Sequence, residues 1–310
     1  MAGNLTIDAL LTQGFKRLRG AQQVLDADQA IGSRSSHFPE AGHAASHTLD
    51  VQLLLAHALG KNRTYLATHP EAVPTAEQIA SFEGLLDRRA AGEPIAYIVG
   101  YRDFWTLTLA VNPSVLVPRP ETELLVERAL ALGPAGAGAV ADLGTGSGAI
   151  ALALASERPQ WSVTAVDISA AALATARANA ASLELSVEFL EGAWFTPLKN
   201  RRFHVVASNP PYVSDGDDAL KDATLQHEPQ IALASGADGL TAIREIVLAA
   251  PDYLERHGWL ILEHGSDQAA AVAHELEGRG FGHVTSHRDL AGHWRLTEAQ
   301  WTSPQEDTLK

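Results

Sequence analysis

The residues best placed to do chemistry form the run SNPPYV, 208–213. Asn209 follows an apolar stretch, Phe203 to Ala207, that reads as a buried strand, and Pro210 and Pro211 forbid that strand to continue. Proline fixes φ and has no N–H, so the loop is stiff and the carbonyls of Asn209 and Pro210 are left to accept hydrogen bonds. The Asn209 side-chain oxygen and the Pro210 carbonyl then form a pair of acceptors suited to one planar –NH2 group. With both N–H bonds held, the nitrogen lone pair can turn out of conjugation toward an electrophile. Tyr212 is placed to cover a flat substrate by stacking. No strong base is needed, because the nitrogen becomes acidic only as the new bond forms. Adenine and a glutamine amide both carry such a group, and a plain chain stop is the other use of Pro-Pro after a strand.

A second stretch, DLGTGSGAIALALA (142–155), puts glycines at 144, 146 and 148 where a strand gives way to a helix. Glycine there lets the backbone turn sharply and approach a ligand, so Gly144, Thr145, Gly146, Ser147 and Gly148 read as a cofactor loop. Such a loop serves dinucleotides, phosphates and S-adenosylmethionine alike, or is a tight turn with no ligand. Asp167 ends the next strand, SVTAVD, about 20 residues on, where a carboxylate can accept hydrogen bonds from both hydroxyls of a ribose. Beside Ser169 it could equally cap a helix. The loop lacks dinucleotide spacing and no basic residue lies near it to balance a pyrophosphate, which favours S-adenosylmethionine over NAD. Trp194 and Phe195, after the third strand, supply flat walls for an adenine, or core. Asn209, on the same edge, should face the cofactor.

For these loops to meet, strands and helices must alternate, and from Glu121 onward they do. AVADLG, SVTAVD, VEFLEG, FHVVASN and WLILEHG read as strands, separated by the helical stretches AIALALASE, AAALATARANAASL, LTAIREIVLAAPDYL and AAAVAHELEGRG. This is the pattern of an α/β fold with a mostly parallel sheet covered on both faces. HVTSHRDL and HWRLTEAQ would add two edge strands. Ligands of such sheets bind beyond the carboxyl ends of the strands, where all the motifs fall. Upstream, 4–30 and 47–91 carry helical spacing, and Tyr97 to Val117 suggests a β-hairpin. The expected organisation is a small all-helical N-terminal domain over 1–93, a β-hairpin linker over 94–120 and a catalytic domain over 121–310. The stretch 31–47, rich in Ser, Gly and His, reads as a mobile connection, and the last ten residues as a frayed end.

Composition narrows the chemistry. At 310 residues and 46% hydrophobic, the chain can bury a large core and a smaller one. Lys+Arg 23 against Asp+Glu 37 leaves a net charge of −14, which repels phosphate backbones and disfavours direct nucleic-acid partners. Without cysteine there is no disulfide, thiolate metal site or cysteine nucleophile, in keeping with a reducing compartment. No apolar run approaches membrane-spanning length and the N-terminus lacks a signal-like pattern, so a cytoplasmic protein without membrane contact is expected. His43 and His47 have the spacing of a helical metal pair but no third ligand nearby, so no metal is expected.

Together these motifs resemble the class I S-adenosylmethionine-dependent methyltransferases with a (D/N)PPY motif. RRAAGEPIAYIVGYRDFWTLTLAVNPSVLVPRPETELLVERAL, HEPQIALASGADGL, WLILEHG and RDLAGHWR narrow the resemblance to the peptide-chain-release-factor glutamine N5-methyltransferases (PrmC/HemK family), from about Leu49 to Leu296. The resemblance implies a seven-stranded Rossmann-like sheet behind a five-helix N-terminal domain. It implies methyl transfer from S-adenosylmethionine to the glutamine of the Gly-Gly-Gln loop of class 1 release factors. By match, Gly144 to Gly148, Asp167, Trp194 and Asn209 would hold the cofactor, and Asn209, Pro210, Pro211 and Tyr212 the glutamine amide. Phe104, in RDFW, resembles a position beside the substrate glutamine; hairpin core is its other reading. Arg119, Glu121 and Glu123 of PRPETE either shape the loop near the methyl donor or form an Arg–Glu packing network. Many relatives carry an acidic residue where this chain has Ala193, so Glu191 or backbone must accept from the adenine amino group, or the cofactor binds less tightly.

Rival readings are fewer than the NPPY motif alone allows. A methyltransferase acting on a ribosomal-protein glutamine shares NPPY, but RPETE, RDFW and LEHG favour the release factor. A nucleic-acid adenine methyltransferase needs a basic target-recognition region to engage a flipped base, and no insert of clustered Lys/Arg and aromatics is present. For an NAD-dependent oxidoreductase or a binding-only module, NPPY has no purpose. Since a lone glutamine cannot specify a partner, the helical N-terminal domain is the natural second recognition surface.

Overall fold

The computed structural model describes residues 5–29 and 43–302, with side chains over 5–21 and 47–302. The connection expected to begin at Ile31, the His43 side chain and the tail beyond Thr302 lie outside the described residues, although residues 43–47 are already helical. The chain divides into two compact units.

The first unit comprises Met1–Gly100 together with Lys221–His227. Its helices are α1 (Ile7–Gln29), α2 (His43–Leu59), α3 (Arg63–Thr68), α4 (Ala76–Ala90) and α5 (Ile95–Val99). Leucines and other apolar residues at helical spacing, among them Ile7, Leu10, Leu54, Leu55, Phe82 and Leu86, converge on one core. α4 opens on a capping box in which Thr75 and Gln78 bond each other's backbone N–H. Arg89 ties α4 to α2 through Asp50, Nε to Oδ2 2.9 Å. The inserted Lys221–His227 segment joins this unit at the end of α4, where His227 Nε2 lies 3.4 Å from the Ala91 carbonyl.

The second unit, Tyr101–Leu220 with Glu228–Lys310, holds the sheet. A hairpin of β1 (Tyr101–Phe104) and β2 (Leu107–Ala110) leads to α6 (Glu123–Leu132), β3 (Gly138–Leu143), α7 (Ala149–Glu157), β4 (Trp161–Asp167) and α8 (Ala170–Ser182). Then follow β5 (Glu188–Glu191), β6 (Phe203–Ser208), α9 (Thr241–Ala249), β7 (Leu254–Glu263), α10 (Ala269–Arg279), β8 (Phe281–Arg288) and β9 (Trp294–Trp301). Strands β3 to β9 form one seven-stranded sheet in the order β5-β4-β3-β6-β7-β9-β8. Its first five members run parallel, and the two strands expected from the tail, β8 and β9, complete it by antiparallel pairing, with β9 between β7 and the edge strand β8. Val140 to Leu143 and Val205 to Ser208 are buried without alternation, as strands covered on both faces must be.

Two boundaries differ from the sequence reading. α9 stops at Ala249, because Pro251 cannot continue a helix, and β7 starts at Leu254, ahead of the run WLILEHG. α6, within ETELLVERAL, is an element of its own between hairpin and sheet. The hairpin, expected as a linker, packs into the second unit: Phe104 and Leu109 enter its core, and Ala110 exchanges two hydrogen bonds with the Asn179 side chain of α8 (2.8 and 3.0 Å).

Chain order reverses between β3 and β6, which lie side by side although β4 and β5 intervene in sequence. This is the switch point at which open α/β sheets bind ligands. Leu143 pairs with Ser208, so Gly144 and Asn209 leave the sheet as neighbours, and Asp167 ends the adjoining strand.

Candidate active site

The glycine loop has the conformation its sequence requires. Gly144, Gly146 and Gly148 all have positive φ (72°, 55° and 85°), a region in which L side chains are strained. The N–H groups of Gly144 and Thr145 donate to the Val166 carbonyl at 2.8 and 3.0 Å, tying the loop to β4. Asp142, wholly buried, accepts from Thr145 Oγ1 (2.6 Å) and Ala151 N (3.2 Å) and so pins the loop to the first turn of α7. Burial pushes its carboxyl up to about 7. From α8, Asn179 donates to the Ser147 carbonyl at 2.9 Å, so one amide binds both the loop and the hairpin. Apart from its chain neighbours, no atom of the described residues lies within 4 Å of the place where a Gly146 Cβ would stand; that side of the loop is open.

Asp167 meets the loop at the Gly146 N–H. Its Oδ2 accepts from Gly146 N and its Oδ1 from Ser169 N, both at 2.8 Å, which leaves each oxygen a further lone pair. Burial raises its pKa while those N–H bonds hold the carboxylate form. The cap of α8 is Ser169, whose hydroxyl accepts from Ala172 N at 3.1 Å, so Asp167 is not spent on that role. Trp194, itself at φ 47°, brings its ring edge within 3.4 Å of the position a Gly144 Cβ would take, and its Nε1 donates to Glu245 Oε2 at 2.8 Å. Phe195 turns away into the core and stacks on Tyr253, ring centroids 4.5 Å apart. Ile168, directly after Asp167, is 56% exposed, an apolar side chain beside the site that the sequence reading did not single out. The Ala193 carbonyl is taken by Thr196 N, which leaves the exposed Glu191 carboxylate as the acidic group nearest in sequence.

The Asn-Pro-Pro-Tyr loop is held from beneath. Asn209 Nδ2 donates to Thr122 Oγ1 at 3.2 Å. Among the described residues none donates to Asn209 Oδ1 or to the Pro210 carbonyl. Gln268 Nε2 donates to the Tyr212 carbonyl at 2.9 Å, while its Oε1 accepts from Gly265 N at 2.8 Å. Gly239, at φ 74°, packs directly on the Tyr212 backbone: a Cβ there would stand 2.2 Å from its carbonyl oxygen. Val213 bridges to Ala234.

Two aromatic residues expected at the substrate have packing positions. Phe104 is 1% exposed within the core of the second unit, because β1 turns that side chain inward. Tyr212 is 9% exposed with its hydroxyl 3.5 Å from Glu263 Oε1, and burial raises the pKa of that hydroxyl. Both are buried, and the groups that the strand ends bring to the switch point are Asn209, the glycine loop and Asp167. The PRPETE and HEPQ stretches meet as an Arg–Glu network. The Glu228 carboxylate accepts from Arg119 (2.5 Å) and from Val117 N (3.0 Å), and Glu123 accepts from Trp105 N (2.8 Å).

Residues 29–100 match the family described as the PrmC N-terminal domain, and residues 120–231 the family described as the methyltransferase small domain. The chain is 49% identical over 269 residues to a release factor glutamine methyltransferase of Pseudomonas aeruginosa, covering 86% of this chain and 96% of that one. A release factor glutamine methyltransferase of Yersinia pestis is 48% identical over 260 residues, or 84% of this chain and 94% of that one. In three dimensions the chain resembles the hMettl16 catalytic domain solved with a 3′UTR hairpin, with TM-score 0.55 and 16% identity over 71% of this chain and 82% of that one. At that identity the fold is what the two share.

Proposed function

The chain belongs to the release factor glutamine methyltransferase family, and from that premise we propose that it transfers a methyl group from S-adenosylmethionine to the side-chain amide nitrogen (N5) of the glutamine in the Gly-Gly-Gln loop of class 1 release factors. The observation that carries the reading is the pair of unpartnered acceptors, Asn209 Oδ1 and the Pro210 carbonyl, beside a glycine loop at the switch point of the sheet.

The residues present fit the proposed cofactor. The open side of Gly146, the spare lone pairs of Asp167, and the apolar walls of Trp194 and Ile168 suit an adenosine. When bound, S-adenosylmethionine supplies a methyl group on a positively charged sulfur. Asn209 and Pro210 accept the two N–H bonds of the substrate amide and hold it with its lone pair turned out of conjugation. Prolines at 210 and 211 keep those acceptors rigid, so little reorganisation is needed at the moment of reaction. The amide nitrogen becomes acidic only as it gains the methyl group, and its proton can then leave to water, so the reading requires no strong base.

The helical region 1–93 would supply the recognition surface that a single glutamine lacks, with 94–120 joining it to a catalytic domain over 121–310. A partner of the translation machinery places the reaction in the cytoplasm. Among the described residues no helix is long and apolar enough to cross a membrane. Incubation with labelled S-adenosylmethionine and an equimolar mixture of class 1 release factor, ribosomal proteins and DNA tests the reading. Label should appear on the release factor; label on DNA or on a ribosomal protein would reject it.

A further inference from the structure

Two prolines in succession leave the NPPY loop short of backbone donors. Pro210 and Pro211 have no N–H, so the loop must be anchored through carbonyls and side chains. Tyr212 supplies a backbone handle: its carbonyl accepts from Gln268 Nε2 at 2.9 Å. Gln268, 7% exposed, stands where the LEHG turn enters α10. Its Oε1 accepts from Gly265 N at 2.8 Å, and its Nε2 lies 3.3 Å from a second carbonyl, that of Asp238.

These three partners allow the amide one orientation. A backbone N–H only donates and a carbonyl only accepts, so the Gln268 oxygen must face Gly265 and its –NH2 must face Tyr212 and Asp238. Turned over, it would set an oxygen against two carbonyl oxygens. The turn beneath it is itself held: Gln268 N donates to the Gly265 carbonyl at 3.0 Å, and the buried His264 donates to the same carbonyl from Nδ1 while its Nε2 meets Thr297 Oγ1 of β9, both at 2.8 Å. Gly239 leaves the space for the contact. A Cβ there would stand 2.7 Å from Gln268 Nε2 and 2.2 Å from the Tyr212 carbonyl oxygen.

What is held at Tyr212 reaches Pro210. Both prolines have φ fixed, and Pro211 restricts ψ of Pro210 to extended values, so few torsions stay free between the two carbonyls. We propose that Gln268 is a positioning residue for methyl transfer, whose –NH2 holds the Tyr212 carbonyl and so aims the Pro210 carbonyl at the substrate amide, an inference that rests on the methyl-transfer reading above.

Gln268→Glu removes the donor half of this contact alone. The new carboxyl still accepts from Gly265 N; ionised, it turns an oxygen on Tyr212 and Asp238, and protonated it regains one donor. Its kcat relative to wild type should be down roughly ten- to a hundredfold at about pH 9 and should recover several-fold by about pH 6, with KM for the release factor changed by less than about threefold. Glu263, His264 and Asp267 of the same turn, Tyr212, Asp238 with its partner Arg244, and Arg295 of β9 are the titratable or charged groups on the surrounding segments. Both proteins share them, so the ratio isolates the new carboxyl. Gln268→Met, without donor or acceptor, should lose as much at every pH. The pair Tyr-Val occurs once in the sequence, so carbonyl-13C tyrosine with 15N valine gives one NMR signal for the Tyr212 carbonyl, independent of turnover. That signal should move upfield in Gln268→Glu at about pH 9 and return on acidification. Wild-type kcat in Gln268→Glu at about pH 9, or a loss that does not vary with pH, would overturn the proposal. If wild type methylates no release factor yet the Tyr212 signal shifts in this way, the functional reading fails and the anchoring of the loop by Gln268 stands.

Discussion

Asn209 and Asp167 are both polar residues at strand ends, but the groups around them assign different work. Asp167 has an N–H on each oxygen and keeps one lone pair per oxygen, which suits the holding role proposed for it. Asn209 has its donor side occupied by Thr122 and its acceptor side open, which suits the reacting-site role proposed for it. Removing each should therefore separate binding from chemistry. Asn209→Ala should lower single-turnover methyl transfer by at least about a hundredfold. Its dissociation constant for S-adenosylmethionine, measured by calorimetry, should stay within a few-fold of wild type. Asp167→Asn should do the reverse, weakening the cofactor by about tenfold, or roughly 1.4 kcal/mol, as befits loss of a charge-assisted bond. A cofactor affinity equal to wild type in Asp167→Asn would remove it from that role.

Loops do this work only because elements hold them. The NPPY loop rests on Gly239, where any Cβ would collide with the Tyr212 carbonyl at 2.2 Å. Gly239→Ala must displace the loop or itself and should depress kcat severely, whereas Gly216→Ala, with open space around it, should turn over as wild type; steady-state kinetics on the pair checks this. Phe104→Ala empties a fully buried site in the hairpin and should cost about 3–5 kcal/mol in chemical denaturation. Phe104→Leu should recover most of that stability and turn over normally, if the ring packs and does not touch substrate. These supports also mark where the sequence stopped being legible. The strand ends at Leu143, Asp167 and Ser208 could be read, because apolar runs break there on Gly, Asp-Ile-Ser and Asn-Pro-Pro. Asn179 could not, since in ARANAAS it looks like an ordinary helix position and its partner Ala110 is 69 residues away. Thr122 and Glu263 were visible only as parts of PRPETE and LEHG. The bond that joins Thr122 to Asn209, across 87 residues, exists only once the chain has folded.

For the whole molecule, the site carries a stability cost that pH should reveal. Asp142 is wholly buried with its carboxyl pushed up to about 7, against about 3.9 in an unfolded chain. Between those values the folded state binds the extra proton, so the stabilisation is full below about pH 4 and is lost as pH rises through about 7. The loss is on the order of 4 kcal/mol by pH 8. Asp142→Asn keeps an acceptor for Thr145 and cannot ionise, so its melting temperature should decline less than that of wild type between about pH 5 and 8 in calorimetric scans. Parallel declines would show that Asp142 does not titrate in this range. The cost persists because the same carboxyl pins the glycine loop on which the proposed chemistry depends. That chemistry is tested most directly by tandem mass spectrometry of a class 1 release factor after incubation with the protein and S-adenosylmethionine. One methyl group on the glutamine of the Gly-Gly-Gln loop, absent with Asn209→Ala, is the predicted result; an unmodified glutamine, or methyl on another residue, would contradict it.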